Sequence, residues 1–241
     1  MEEQILGVIG GLGPMATVHF MKLMIHMTEA QRDQQHIPML VAQFPQVPDR
    51  TAFILDPTMP DPVPPMVRAG QFLARSGAAE IALPCITAHS FHKRMQDALS
   101  VPLINGVEET VRYLSGKGIA QVGLMATEGT VRTGLFEKAL QEYDIQCICP
   151  DETHQQYVTD LIYSDVKAGK EPDIDKLAMA RDHLLHRGAE VILLGCTELS
   201  VIDKSYIDRS IYLDVLEVLS RCCVQRFGKL KKEYEELLLL Q

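Results

Sequence analysis

One stretch of this chain occurs twice. Ile81-Ala82-Leu83-Pro84-Cys85-Ile86-Thr87-Ala88-His89 and Val191-Ile192-Leu193-Leu194-Gly195-Cys196-Thr197-Glu198 each close an apolar run with a cysteine followed by hydroxyl, imidazole or carboxylate side chains. Upstream, Leu73 matches Leu184, Gly77 matches Gly188, Ala78 matches Ala189 and Leu83 matches Leu194, all at the spacing that separates Cys85 from Cys196. A duplication of this kind requires one supersecondary unit to be built twice, so the fold must have pseudo-symmetric halves with a thiol at an equivalent place in each. Halves so related can face both thiols into one cleft, with a proton-transfer group on each side of a planar intermediate.

The periodicity around the repeats predicts their architecture. A strand over residues 4–10 runs into Gly10-Gly11-Leu12-Gly13-Pro14, and a helix over 16–27 places Phe20, Leu23, Met24 and Met27 on one face. A strand over 37–44, a helix over 66–75 closed by Gly77 and the Cys85 strand follow. Residues 56–65 hold five prolines and read as an extended surface loop. Beyond 101–104 the pattern restarts: a strand over 120–125, a helix over 132–143, a strand over 145–149, a helix over 175–187 and the Cys196 strand. This alternation predicts an α/β fold of two similar domains, each a mainly parallel sheet flanked by helices and joined by right-handed crossovers, pseudo-symmetric about an interdomain cleft. The expected division assigns residues 1–106 plus 211–241 to the first domain and 107–210 to the second. Ligands in such sheets gather at the carboxyl ends of strands, where the glycine turn, Cys85, Thr127 and Cys196 all fall.

Bulk properties exclude several function classes. The 241 residues are 46% hydrophobic and 23% charged with a formal net charge of -9, so no basic excess is available for nonspecific nucleic-acid binding. Tryptophan is absent and aromatics make up 6%, which leaves no base-stacking platform. The two acidic residues within 1–4 do not resemble the cationic start of a secretory signal, and no apolar run reaches transmembrane length. Leu237-Leu238-Leu239-Leu240 reads as the end of an amphipathic helix docking on the body. Six cysteines in this context fit free thiols in a reducing cytoplasm, with no membrane partner. Cys147, Cys149, Cys222 and Cys223 lack metal-ligand spacing and read as core, so no metal is expected. The glycine turn does not spell GxGxxG, and no Walker lysine follows it.

The residues together resemble the aspartate/glutamate racemase family, and within it the aspartate racemase branch. The likeness rests on Gly7-Val8-Ile9-Gly10-Gly11-Leu12-Gly13-Pro14-Met15-Ala16-Thr17, Pro48-Asp49-Arg50-Thr51, Pro84-Cys85-Ile86-Thr87-Ala88-His89, Gly123-Leu124-Met125-Ala126-Thr127 with Gly129-Thr130-Val131, Lys167-Ala168-Gly169 and Gly195-Cys196-Thr197-Glu198. It implies a cofactor-independent isomerase, a cytoplasmic homodimer that interconverts L- and D-aspartate or glutamate with Cys85 and Cys196 as catalytic acid and base. It further implies that Arg50 and Lys167 hold the side-chain carboxylate of a small acidic amino acid. Gly11, Thr87, Ala88, Thr127 and Thr197 then surround its α-carboxylate and ammonium, and Glu198 or His89 orients or shuttles protons. One position departs from the family pattern: an asparagine usually follows the first cysteine, and here it is Ile86. Losing that amide removes a hydrogen bond, on the order of 1 kcal/mol or more of recognition.

Each residue also has a structural reading. A single strand-end cysteine is more often a packed hydrophobe, Arg50 can pair with Asp49, Lys167 can sit at a solvated helix end, His89 can be a satisfied core histidine, and Glu198 can cap a turn. Two equivalent cysteines favour a shared cleft over coincidence. A small-carboxylate-binding or catalytically silent paralogue, to which Ile86 lends support, and a related isomerase or decarboxylase of non-amino dicarboxylates remain as alternatives.

Overall fold

The computed structural model describes residues 4–239. Expectations attached to residues 1–3 and to Leu240 lie outside that range. The first half consists of β1 (Ile5–Gly10), α1 (Pro14–Met27), β2 (Met39–Gln43), α2 (Arg50–Leu55), α3 (Val63–Arg75), β3 (Ala78–Ala82), α4 (His92–Gln96) and α5 (Gly106–Ser115). The second adds β4 (Gln121–Met125), α6 (Glu128–Arg132), α7 (Leu135–Gln141), β5 (Gln146–Ile148), α8 (Glu152–Thr159), a π-helical continuation Asp160–Val166, α9 (Ile174–His186), β6 (Val191–Leu194), β7 (Tyr212–Asp214) and α10 (Val215–Phe227). The sheets run β2-β1-β3 and β5-β4-β6-β7, and every pairing is parallel. A parallel bridge from Ile81 to Leu103 stands where β6 pairs with β7, so the two halves repeat the same strand order.

The duplicated residues explain how each helix meets its sheet. Leu73 and Leu184 are fully buried, and Gly77 and Gly188 end their helices at φ +96° and +99°, where a β-carbon would be strained. A β-carbon on Gly7 would lie 2.9 Å from that of Ala78, and one on Gly123 would lie 3.1 Å from those of Ala189 and Leu184. Central-strand glycines therefore let α3 and α9 sit down on their sheets. Gly7→Ala and Gly123→Ala are each expected to destabilise the protein by about 1–3 kcal/mol through overpacking. The midpoint of urea unfolding checks this, and unchanged midpoints would show slack at these contacts.

Between the sheets, one core joins Val8 of β1 and Leu124 of β4 through side chains of α1, α5, α7 and α10. A second core lies on the far side of the first sheet and includes Cys85; a third lies against the second sheet and includes Cys196. Each cysteine thus belongs to the packing of its own half.

Several expected boundaries are corrected. The proline-rich loop ends at Pro62, because Pro64 and Pro65 occupy the first turn of α3, where a missing N–H costs nothing. The helix expected over 132–143 begins only at Leu135, because left-handed Gly134 (φ +61°) separates it from α6. Strand β7 joins the second sheet although its residues fall in the tail assigned to the first domain: its partner is β6. Among the described residues no α-helix follows α10, whose C-cap is Gly228, and only a 3-10 turn forms at Lys232–Tyr234. The tail instead buries Leu237 and Leu238, whose N–H groups donate to the Tyr113 hydroxyl at 2.9 and 3.0 Å. Among the described residues no helix is long and apolar enough to cross a membrane.

Candidate active site

Both cysteines follow strand ends, as the repeat requires. Cys85 stands just beyond β3 at the start of the 3-10 turn Ile86–Phe91 and is 5% exposed. Cys196 stands just beyond β6 and is 4% exposed. Both thiols are free. They border one small cavity of about 10 Å³ together with Arg50, Ile86, Thr87, Thr127, Tyr163, Lys167, Thr197 and Glu198. That space holds about one water molecule. Asp49, Arg50, Lys167 and Glu198 also border an adjoining cavity of about 390 Å³. Larger cavities of about 840 and 470 Å³ lie elsewhere and touch neither cysteine.

The two sulfurs face opposite charges. Arg50 opens α2 behind its N-cap Asp49, whose carboxylate accepts from Ala52 N at 2.9 Å. Its guanidinium is buried and donates to the carbonyls of Leu12 at 3.0 Å and Pro48 at 3.1 Å, while Nε has no partner. Burial works against this cation, but the Cys85 sulfur and Asp49 outweigh it and hold its pKa above the ordinary value. Cys196 Sγ donates to Glu198 Oε2 at 3.0 Å. Burial first, and then the Glu198 carboxylate, push the Cys196 thiol well up against the opposing pull of Lys167. Burial and the Glu198 carboxylate thus both favour the protonated form of Cys196.

Lys167 caps the π-helical segment, with Nζ 3.9 Å from Glu198 Oε1, 4.0 Å from Asp49 Oδ2 and 4.2 Å above the Tyr163 ring. Burial disfavours its charge, yet Glu198 and Cys196 reverse the balance and raise its pKa. Across the junction of the halves, Thr87 Oγ1 lies 2.9 Å from Thr127 Oγ1 and 3.1 Å from Thr130 Oγ1. This hydroxyl cluster ties the turn after Cys85 to the start of α6.

Three expected site residues lie off the cysteine cavity. Gly11 borders the adjoining cavity, and its N–H is taken by Thr17 Oγ1 at 2.9 Å. A β-carbon there, at φ +94°, would meet the Phe44 backbone at 2.7 Å, so the glycine serves a close chain crossing. Ala88 is fully buried in the core containing Cys85. His89 is 3% exposed, its Nδ1 is 3.1 Å from Cys85 O, and Nε2 has no partner. Burial lowers its pKa to about 4. A neutral imidazole bound to the Cys85 carbonyl positions that turn rather than moving protons.

This burial carries a stability prediction. Below the ordinary histidine pKa of about 6.5 the unfolded chain takes up a proton that folded His89 refuses until about pH 4. Its contribution, present above pH 6.5, is lost as pH falls through that window, by about 3 kcal/mol in all. His89→Gln is expected to flatten the acid limb of a pH–stability curve from chemical denaturation; an unaltered limb would place the acid sensitivity elsewhere.

Sequence reasoning gives no site role to Tyr163, Thr51 and Leu12, which line the cavity, or to Thr130, which bonds Thr87. Tyr163 stands one helical turn before Lys167, and Thr130 lies within Gly129-Thr130-Val131; those spacings were the available signals.

Two duplicated α/β units, each lending one free cysteine to a cavity at their junction, define the structural class. A sequence profile of the Asp/Glu/Hydantoin racemase family matches residues 9–216. The aspartate racemase of Picrophilus torridus is 30% identical, with a TM-score of 0.81 over 98% of this chain and all of that one. A broad specificity amino-acid racemase of Bacillus subtilis (strain 168) is 28% identical over 82% of this chain and 86% of its own length. Glutamate racemase from Francisella tularensis, solved with D-glutamate, shares the fold with a TM-score of 0.64 at 16% identity, over 100% of this chain and 85% of its own. The chain belongs to the Asp/Glu/Hydantoin racemase family and is an isomerase of the racemase type.

Proposed function

We propose that the protein racemises aspartate without a cofactor, Cys85 and Cys196 exchanging the roles of base and acid. The observation that carries this reading is the shared cavity: two free thiols, one from each half, border the same space beside Arg50 and Lys167. An α-hydrogen is a very weak acid, so a thiolate must remove it while fixed donors hold the charge that develops on the α-carboxylate. A thiol on the opposite face then returns a proton. The cavity between the sulfurs has room for about one water, so an amino acid enters only when the lining opens around the two strand ends.

The surroundings give each group a task. Arg50 faces Cys85, so an anionic sulfur there meets a fixed cation. Glu198 accepts the Cys196 hydrogen bond and is placed to take that proton when Cys196 serves as base. Lys167, loosely paired at 3.9 and 4.0 Å, can exchange its carboxylate partners for that of the substrate. Thr87, Thr127 and Thr197 supply hydroxyls for the amino-acid head. Ile86 contributes an apolar wall where an amide would have donated. The preference for aspartate over glutamate rests on the 30% identity to the aspartate racemase of Picrophilus torridus. Admission through the adjoining cavity requires Lys167 and Asp49 to give way. The reading includes a cytoplasmic homodimer.

A chirally resolved assay in heavy water tests it, with both enantiomers of aspartate and glutamate beside maleate and aryl-substituted malonates. Aspartate is expected to racemise with deuterium entering at the α-carbon, faster than glutamate. Binding without exchange would instead identify a carboxylate-binding paralogue, and turnover confined to the non-amino acids a different isomerase or decarboxylase.

A further inference from the structure

Away from the cysteine cavity, Asp151, His154 and His183 bring one carboxylate and two imidazoles together, their ligand atoms all within 4.8 Å of one another. We propose that they form a site for a borderline divalent cation, Zn²⁺ or the chemically similar Co²⁺. Asp151 is the N-cap of α8 and His154 lies in its first turn, whereas His183 comes from α9. His154 Nδ1 is 2.6 Å from Asp151 Oδ1, and His183 Nδ1 is 3.7 Å from Oδ2, so both nitrogens address the same carboxylate. The rings stack face to face, with centroids 3.9 Å apart and planes at 15°. An imidazole lone pair lies in the ring plane, so the rings must turn out of this stack for both nitrogens to meet one ion, and their ligand atoms already lie within 4.8 Å.

The donor set selects the ion. Two imidazoles and a carboxylate suit zinc and its neighbours, while hard cations such as calcium and magnesium take oxygen ligands. Loading occupies the Nδ1 lone pair, so each neutral imidazole carries its one ring proton on Nε2 instead of Nδ1. For His183 this tautomer ends the long 3.3 Å hydrogen bond that Asp151 N donates to Nε2. Asp151 is exposed and both histidines are half-buried, so remaining coordination positions open to water. The ion would fasten α8 to α9. Because α8 continues through Asp160–Val166 to Tyr163 and Lys167, and Gln155 Nε2 donates to Ala126 O at 3.0 Å, that brace reaches the elements that border the cysteine cavity.

Cobalt titration of the full chain tests the site. Saturable binding of one Co²⁺ per chain is expected, with visible d–d bands and no sulfur-to-cobalt charge transfer, and the thermal midpoint should rise with Co²⁺. His154→Gln and His183→Gln should each weaken binding at least tenfold, the lower limit seen even for residues that only support ligands. Cys147→Ser/Cys149→Ser should bind as the wild type does. Independently of any variant, Co²⁺ should broaden the imidazole resonances of His154 and His183 first among the eight histidines. Absence of saturable binding, a sulfur charge-transfer band, or affinity unchanged in both histidine variants would overturn the proposal.

Discussion

Cys85→Ser and Cys196→Ser are each expected to lower the rate of interconversion by about 10²–10⁴-fold, the loss that follows removal of a positioned acid or base. A serine hydroxyl fits the space of either thiol but does not ionise in the working pH range, so one face of the substrate loses its proton carrier. The equilibrium constant between enantiomers is unity, and kcat/KM must therefore fall equally in both directions. The asymmetry appears instead in isotope exchange. Each variant should still wash deuterium into a single enantiomer, and the two variants should serve opposite ones. NMR of the α-proton in heavy water reads this directly, and full turnover in either variant would remove the two-thiol mechanism.

Glu198→Gln is expected to produce the second largest effect, a fall in kcat of about 10²-fold from loss of a proton acceptor within hydrogen-bonding reach. Cys196 Sγ would retain a partner at about the same place, so the loss reports charge rather than packing. It also has a sign that a structural role would not produce. After burial, the Glu198 carboxylate is the main influence raising the Cys196 thiol, and a neutral amide removes that repulsion. Thiolate absorbance in the variant should therefore appear at lower pH than in the wild type. Stability follows the same linkage. A thiol whose folded pKa is raised contributes stability below the ordinary cysteine value of about 8.5, and that contribution is lost as pH climbs beyond it. The decline above that pH should be shallower in Glu198→Gln and should lack the residue's share altogether in Cys196→Ser. A Glu198→Gln enzyme with wild-type kcat and an unmoved titration would leave Glu198 as a turn residue.

The repeat makes the pairing of the halves readable from the order of residues alone. Leu73 and Leu184, Gly77 and Gly188, and Cys85 and Cys196 match because each unit solves the same packing problem, a helix seated on a parallel strand with a thiol at its end. Helix and strand periods are local, and the main elements fell close to the expected spans. Boundaries failed where a single residue or a remote partner decided them. Gly134 sets the start of a helix expected from residue 132, and Tyr113 captures a tail whose leucines suggest another helix.

The same division runs through the site. Strand-end position and motif spacing singled out both cysteines, Arg50, Lys167 and Glu198, because the duplication and the family likeness are properties of order along the chain. Tertiary structure alone decided that Arg50 spends its guanidinium on Leu12 and Pro48, that His89 is buried, neutral and off the cavity, and that Glu198 accepts the Cys196 hydrogen bond. It also decided that His183 meets Asp151 and His154. Charge state and coordination depend on which distant groups burial brings within a few ångströms. Order along the chain determined the scaffold and its two sulfurs, and folding determined what each of them faces.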